Sequence, residues 1–183
     1  MKNKHTISYT SSILSAILFV MLPYFLPAQF VGKDWSTTIG GVSSESFHDA
    51  LELSNGQIVS VGVADSGKKG GKDGLVVISD FFTGETVNKV FVGGKKEDVI
   101  QKVIQHWDGT LLLAGHTASK GKSSQEAWLM NMDMNGNVLW EKTFGSTKSD
   151  AFTAIGITKT GKIAVAGKIC LLYTSDLPTI CSV

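Results

Sequence analysis

Cysteine is absent until position 170, and the only two, Cys170 and Cys181, fall within the last 14 residues. An even cysteine count in an exported chain ordinarily suggests a disulfide framework. Here the body of the chain has nothing to cross-link, so its stability must come from packing, and no Cys170–Cys181 bridge is expected. Proline is scarce as well, at three residues, and no low-complexity run is present. Neither sign of charge is in excess: 17 basic and 16 acidic residues leave a net charge of +1, interspersed along the chain. No basic face therefore argues for nucleic acid.

Catalytic motifs are missing too. There is no Gly-x-Ser-x-Gly elbow, no paired Cys-x-x-Cys and no phosphate loop. The run Gly67-Lys68-Lys69-Gly70-Gly71-Lys72-Asp73-Gly74 lacks the Walker spacing and the Ser or Thr after lysine, and reads as a solvated loop between strands. No catalytic residue, cofactor or metal ion is expected from these motifs.

What the chain does have is glycine, 20 residues in 183, against an ordinary share of about 7%. With so little proline, that points to many turns in an ordered all-β protein. The N-terminus is built differently. Lys2, Lys4 and His5 precede an apolar run of 14 residues, Ile13 to Leu26, and Leu26-Pro27-Ala28 then offers a small residue for cleavage. This is a signal-peptide pattern over residues 1–28. The run is short of the ~20 residues needed to span a bilayer, and no cysteine follows it to carry a lipid. The expectation is a secreted or cell-surface protein with no stable membrane span after cleavage.

Shifting the chain by 53 residues and then by a further 52 superimposes three copies of one repeat. Gly40 falls on Gly93 and Gly145, Gly56 on Gly109 and Gly161, and Gly62 on Gly115 and Gly167. Phe47, Ile100 and Phe152 travel with them, as do Ile58, Leu111 and Ile163. Trp35 maps onto Trp140 two periods later, with Asn88 between. Ser54-Asn55-Gly56, Asp108-Gly109 and Thr160-Gly161 supply the positive φ of tight hairpin turns. Each turn lies between strand-length apolar runs; in Phe47 to Leu53, the residues Phe47, Leu51 and Leu53 share one face at period two. A second hairpin follows, Leu75 to Phe81 and Thr86 to Val92, with its counterpart in Ala127 to Met132 and Val138 to Phe144. The segment holding Val99, Ile100, Val103 and Ile104 fits helical spacing as well as strand alternation, but the superposition assigns it to a strand.

One repeat is thus a four-stranded antiparallel meander of about 50 residues, the signature of a propeller blade. A single blade cannot bury both faces of its sheet and needs neighbours. The expected fold is all-β: an incomplete β-propeller of about two and a half blades, spanning 35–87, 88–139 and a truncated 140–168 within residues 29–168. A β-solenoid or a stack of sandwich-like modules is the alternative. Gly62, Gly115 and Gly167 would suit close backbone approach near a ring axis.

The stretch Trp140-Glu-Lys-Thr-Phe-Gly145, followed by Thr160-Gly161-Lys-Ile-Ala-Val-Ala-Gly167, resembles the secreted propeller-repeat proteins common in Bacteroidetes-type bacteria. Trp35-Ser-Thr-Thr-Ile-Gly40-Gly41 and Phe91-Val-Gly93-Gly94 match the same core, and the resemblance covers about Trp35 to Lys168. It implies an exported or cell-surface protein and specifies no activity. Residues 169–183 fit no strand of the repeat. Cys170 to Ser175, Cys-Leu-Leu-Tyr-Thr-Ser, resembles a translated transposase adapter from DNA library preparation, so this tail is read as non-native.

Three further features resemble sites. Asp133, Asn135 and Asn137 alternate around Gly136 like the start of a calcium loop, but the twelfth position, which needs a bidentate Glu, is Phe144; an Asx-type turn explains them. His48, His106 and His116 occupy different repeat positions and share no ligand spacing. Trp107, at the Asp108-Gly109 turn, could stack on a sugar, anchor a partner or pack on a neighbouring loop. The expected function is a non-enzymatic extracellular scaffold for a protein or glycan ligand. A fragment of a secreted propeller enzyme, such as a carbohydrate-active enzyme, with its catalytic residues in missing blades or a missing domain is the rival.

Overall fold

A computed structural model describes residues 35–40, 44–66, 71–145 and 148–169. The expected signal segment, residues 67–70, both cysteines and all of the tail beyond Ile169 lie outside the described residues. The described residues form ten strands: β1 (Glu45–Glu52), β2 (Gln57–Asp65), β3 (Lys72–Asp80), β4 (Thr86–Val92), β5 (Asp98–Gln105), β6 (Leu111–Thr117), β7 (Glu126–Met132), β8 (Val138–Phe144), β9 (Ala151–Ile157) and β10 (Ile163–Lys168). They form two four-stranded antiparallel sheets, in the orders β1-β2-β3-β4 and β5-β6-β7-β8, and a β9–β10 hairpin. The all-β repeat read from the superposition is the observed one, and Val99 to Ile104 is a strand.

The hairpin turns form where positive φ was expected. Gly56, Gly109 and Gly161 have φ of 78°, 87° and 85°, values that cost a Cβ-bearing residue about 1–2 kcal/mol. In each of these turns the glycine amide donates to a carbonyl three residues back: Leu53 at 2.9 Å, His106 at 2.9 Å and Thr158 at 2.9 Å.

Burial follows from stacking. The third strands are covered on both faces, and β7 is buried at all seven positions. That is why Ala127 to Met132 reads as an almost unbroken apolar run and not as an alternating one. One core joins Val59, Val61, Val76 and Ile78 of the first sheet to Val103, Leu111, Leu113, Trp128 and Met130 of the second. Another joins Ala114, Ala127 and Leu129 to Phe152, with Ile155, Ile163, Val165 and Ile169 packed against it. Ile169, the first residue of the expected tail, thus lies on a core. Strand β5 lies against β1, β2 and β3, and β9 against β5, β6 and β7.

A bulge recurs in every first strand. Pairing shifts between Phe47 and Asp49, between Ile100 and Lys102, and opposite Ala166 and Gly167. The extra residues are His48, Gln101 and Thr153, which are themselves superimposed by the repeat. A bulge reverses the facing of what lies beyond it. Phe47 therefore pairs with Gly62 and is 40% exposed, while Leu51 pairs with Val59 and packs on the first core. The period-two reading that put Phe47 and Leu51 on one face is corrected by that bulge.

Candidate interaction surfaces at the two ends of the sheets

Because each sheet is a meander, its two ends are chemically different. Tight turns at 53–56, 81–85, 106–110, 133–137 and 158–162 close one end. The strands β2, β4, β6 and β8 end at the other.

At the turn end, Asp80, Asp108 and Asp133 turn their carboxylates back on the chain. Asp80 Oδ1 accepts from the Phe82 and Thr83 amides at 2.9 and 2.8 Å. Asp133 Oδ1 accepts from the Asn135 and Asn137 amides at 2.9 and 2.8 Å, and its Oδ2 accepts from Asn137 Nδ2 at 2.8 Å. The calcium-loop look of this segment is accounted for by that turn. These bonds favour the ionised form: Thr83 holds Asp80 below the usual carboxylate range, and Asn137 does the same for Asp133. The hydroxyl and amide of Thr110, with His106 beside them, bring Asp108 down to about 2. These are acceptors already spent on the turn.

Trp107 stands in the middle turn, 68% exposed. Its ring tilts against His106 at a centroid distance of 4.4 Å and lies where a Cβ on Gly161 would have to go. His106 is braced in turn by Asp108, 2.9 Å from Nδ1. The indole is thus seated by one edge on the neighbouring repeat's turn and leaves most of its surface in water. Of the expected roles of this residue, the structure shows packing on a neighbouring turn. Trp35 does something similar on another turn: its Nε1 donates to Phe81 O at 2.6 Å, and a Cβ on Gly84 would come within 2.5 Å of its ring. Trp140 lies on β8, half-buried against the second core, with Lys142 Nζ 6.0 Å from its ring centroid.

The remaining glycines sit at close approaches. A Cβ on Gly62, Gly115 or Gly167 would strike the carbonyl oxygen of Ser46, Val99 or Ala151. The close approach expected of these three exists, but it is to the bulged first strand of the same sheet. Gly93 lies between two carboxylates, 2.5 Å from Asp98 Oδ2 and 2.6 Å from Asp73 Oδ1 when a Cβ is added. Gly145 meets Asp150 in the same way, with Glu126 Cγ at 3.2 Å, and Gly40 faces Glu45 Oε2 at 3.3 Å.

These acids are the functional groups that sequence reasoning missed. The signal was present: Glu45, Asp98 and Asp150 each follow the repeat glycine by five residues, and Asp73 and Glu126 are one period apart. Asp98 is wholly buried. It accepts from the Gly94 amide at 2.7 Å, from Ser119 Oγ at 2.6 Å, from the Ser119 amide at 3.3 Å and from the Thr117 hydroxyl. It ties β5 to the preceding β4 link and to the end of β6. Glu126 accepts from the Lys122 and Ser123 amides at 2.5 and 3.1 Å, and the Lys122 amide above all holds its pKa down.

One histidine bridges two repeats. His48, the bulged residue of β1, places Nδ1 2.9 Å from Ile100 O in β5. His116 on β6 is pushed below its ordinary value by burial, against the pull of Glu97 and Asp98, with His48 adding to the depression. A histidine that resists protonation when folded binds its proton more readily when unfolded. Its contribution stands above the unfolded value of 6.5 and is lost as pH falls below it. Glu126 acts further down: its stabilising effect is present above 4.5 and disappears as pH drops through its lower folded value. The thermal midpoint is therefore expected to fall on acidification from neutrality to pH about 5. His116→Gln should flatten that part of the curve and leave the Glu126 limb below it. A His116→Gln profile superimposable on that of the unaltered chain would exclude the histidine as the cause.

Among the described residues no group of three or more His, Cys, Asp or Glu is placed to hold a metal ion, and no helix is long and apolar enough to cross a membrane. No protein-family model matches the chain, and no curated protein matches it.

Proposed function

We propose that the chain is part of an exported β-propeller of the secreted repeat type described above, about two and a half blades of it. Its role is that of an extracellular or cell-surface scaffold for a protein or glycan ligand. Two observations support the architecture. First strands of successive sheets lie against one another, β1 on β5 and β5 on β9, and each sheet offers a face to the next. That is how blades would succeed one another around an axis.

The single observation that carries the binding role is Trp107. A large aromatic exposed at a rigid turn, braced from behind by His106 and Gly161, loses little entropy when it takes a ligand. An indole face of that kind suits the apolar face of a sugar ring. The test is binding of the full chain to an array of neutral and acidic oligosaccharides, followed by titration of the best by tryptophan fluorescence. Trp107→Ala is expected to weaken that binding about tenfold or more while leaving the melting temperature almost unchanged. Absence of binding to any glycan, or equal binding by the variant, would overturn the glycan reading of this surface.

A further inference from the structure

Three hairpin turns from successive repeats are linked side by side. The Ser54 amide donates to Gln105 Oε1 at 2.8 Å, tying the first turn to the strand that enters the second. The six-membered ring of Trp107, in the second turn, lies where a Cβ on Gly161 of the third would go. Ser54, Trp107 and Lys159 hold the same place in their turns, each following the residue whose carbonyl accepts from the turn glycine. All three are exposed, so the second and third turns present an indole and a lysine at neighbouring tips.

Charge is divided unequally about the indole. Asp108, on its own turn, is drawn back onto the Thr110 amide and hydroxyl at 2.9 and 2.7 Å, with His106 Nδ1 at 2.9 Å. Lys159 and Lys162 stand on the other turn, two residues before Gly161 and one after it. At about 3.8 Å between successive Cα atoms, both lie close enough to that glycine for an extended lysine side chain to reach the rim of the ring. The Lys162 backbone is fixed by Thr158, whose hydroxyl accepts from its amide at 3.0 Å. Both lysines are exposed, and neither enters an ion pair among the described residues. We infer that the saccharide taken by this surface is acidic. A pyranose stacks its apolar face on Trp107 and turns a carboxylate of the uronic acid type toward Lys159 and Lys162, away from Asp108. The inference rests on the glycan reading of Trp107 and adds the chemistry of the ligand. Stacking alone does not tell a neutral sugar from a charged one; two unpaired ammonium groups on one side of the ring and a like-charged carboxylate on the other do, and they fix its direction as well. A cationic sugar is disfavoured because the one acid beside the ring already accepts from Thr110.

The probes are tetragalacturonate and its fully methyl-esterified form, which share their rings and linkages and differ in charge. Each is titrated calorimetrically into the full chain at low ionic strength. The acid is expected to bind about fivefold or more tightly than the ester. That preference should fade as salt is raised to ~1 M, where the screening length is about 3 Å. Replacing both lysines, Lys159→Gln with Lys162→Gln, should bring the two affinities within about twofold of each other at an unchanged melting temperature. Equal binding of acid and ester, or a preference for the acid that survives the double substitution, would overturn the inference and leave the glycan reading of Trp107 standing. So would failure of both probes beside a neutral glycan that binds through Trp107. Binding of both probes that is indifferent to Trp107→Ala would instead overturn the glycan reading itself.

Discussion

Gly115→Val is expected to destabilise the chain by at least ~3 kcal/mol, a large part of the total that a domain of this size possesses. A Cβ at this position runs into the carbonyl oxygen of Val99, and Ile100 Cα stands at 3.0 Å. Both are backbone of the neighbouring strand, so no rotamer change relieves the overlap. The bulge between Ile100 and Lys102 must open instead, and β5 carries Ile100 and Val103 into the first core. The informative comparison is Gly109→Ala in the turn of the same hairpin. There φ is 87° and nothing lies within 4 Å of the added Cβ, so only the left-handed backbone penalty applies, about 1 kcal/mol. Urea unfolding of both variants measures the difference. Equal costs would mean that the repeat glycine in β6 is kept for turn-like backbone freedom and not for the bulge beside it.

Asp98→Ala is the second large effect, at about 3–5 kcal/mol. The carboxylate is wholly buried and is the shared acceptor for two backbone amides and two hydroxyls, from Gly94, Ser119 and Thr117. Alanine leaves four donors without their shared acceptor, the buried Thr117 hydroxyl among them, so the cost includes desolvation and not merely the loss of one bond. Asp98→Asn keeps one carbonyl acceptor but turns an amide donor toward donors, and should recover only part of the loss. Asp108→Ala is the control. That carboxylate also accepts two bonds from one residue, Thr110 at 2.9 and 2.7 Å, but it is exposed, and water replaces what the substitution removes. Chemical denaturation of the three variants decides the matter. An Asp98→Ala chain as stable as Asp108→Ala would show that the buried acid does not hold β5 to its neighbours.

Much of the fold was legible because its determinants are local or strictly periodic. A turn glycine acts on its own φ, and an Asp or Asn beside it bonds to amides two to four residues away. Gly56, Gly109, Gly161, Asp80 and Asp133 therefore announce their turns in the residues themselves. The strands between them follow from length and apolar content, and superposition settled the one ambiguous segment, Val99 to Ile104. The acids were harder to see. Glu45 differs in side-chain length from its counterparts Asp98 and Asp150, and the partners of Asp98 arrive from distant sequence: Thr117 and Ser119 lie 19 and 21 residues beyond it. Nothing local distinguishes such a carboxylate from a solvated one.

Trp107 shows the same limit at the surface. Its place at a turn tip could be read directly, but the glycine on which it sits belongs to the next repeat. Phe47 shows it within a strand. Alternation put it with Leu51, and only the inserted His48, accommodated by the missing Cβ of Gly62, separates their faces.

The all-β class, the period, the order of strands within a sheet and the positions of the turns are encoded locally, since each depends on a residue and its near neighbours. Which carboxylates are buried, which face each bulged strand presents and where Trp35 and Ile39 pack follow from contacts between sheets. Those outcomes depend on what a neighbouring sheet brings within a few ångströms, and burial converts the same side chain from a solvated charge into a structural acceptor.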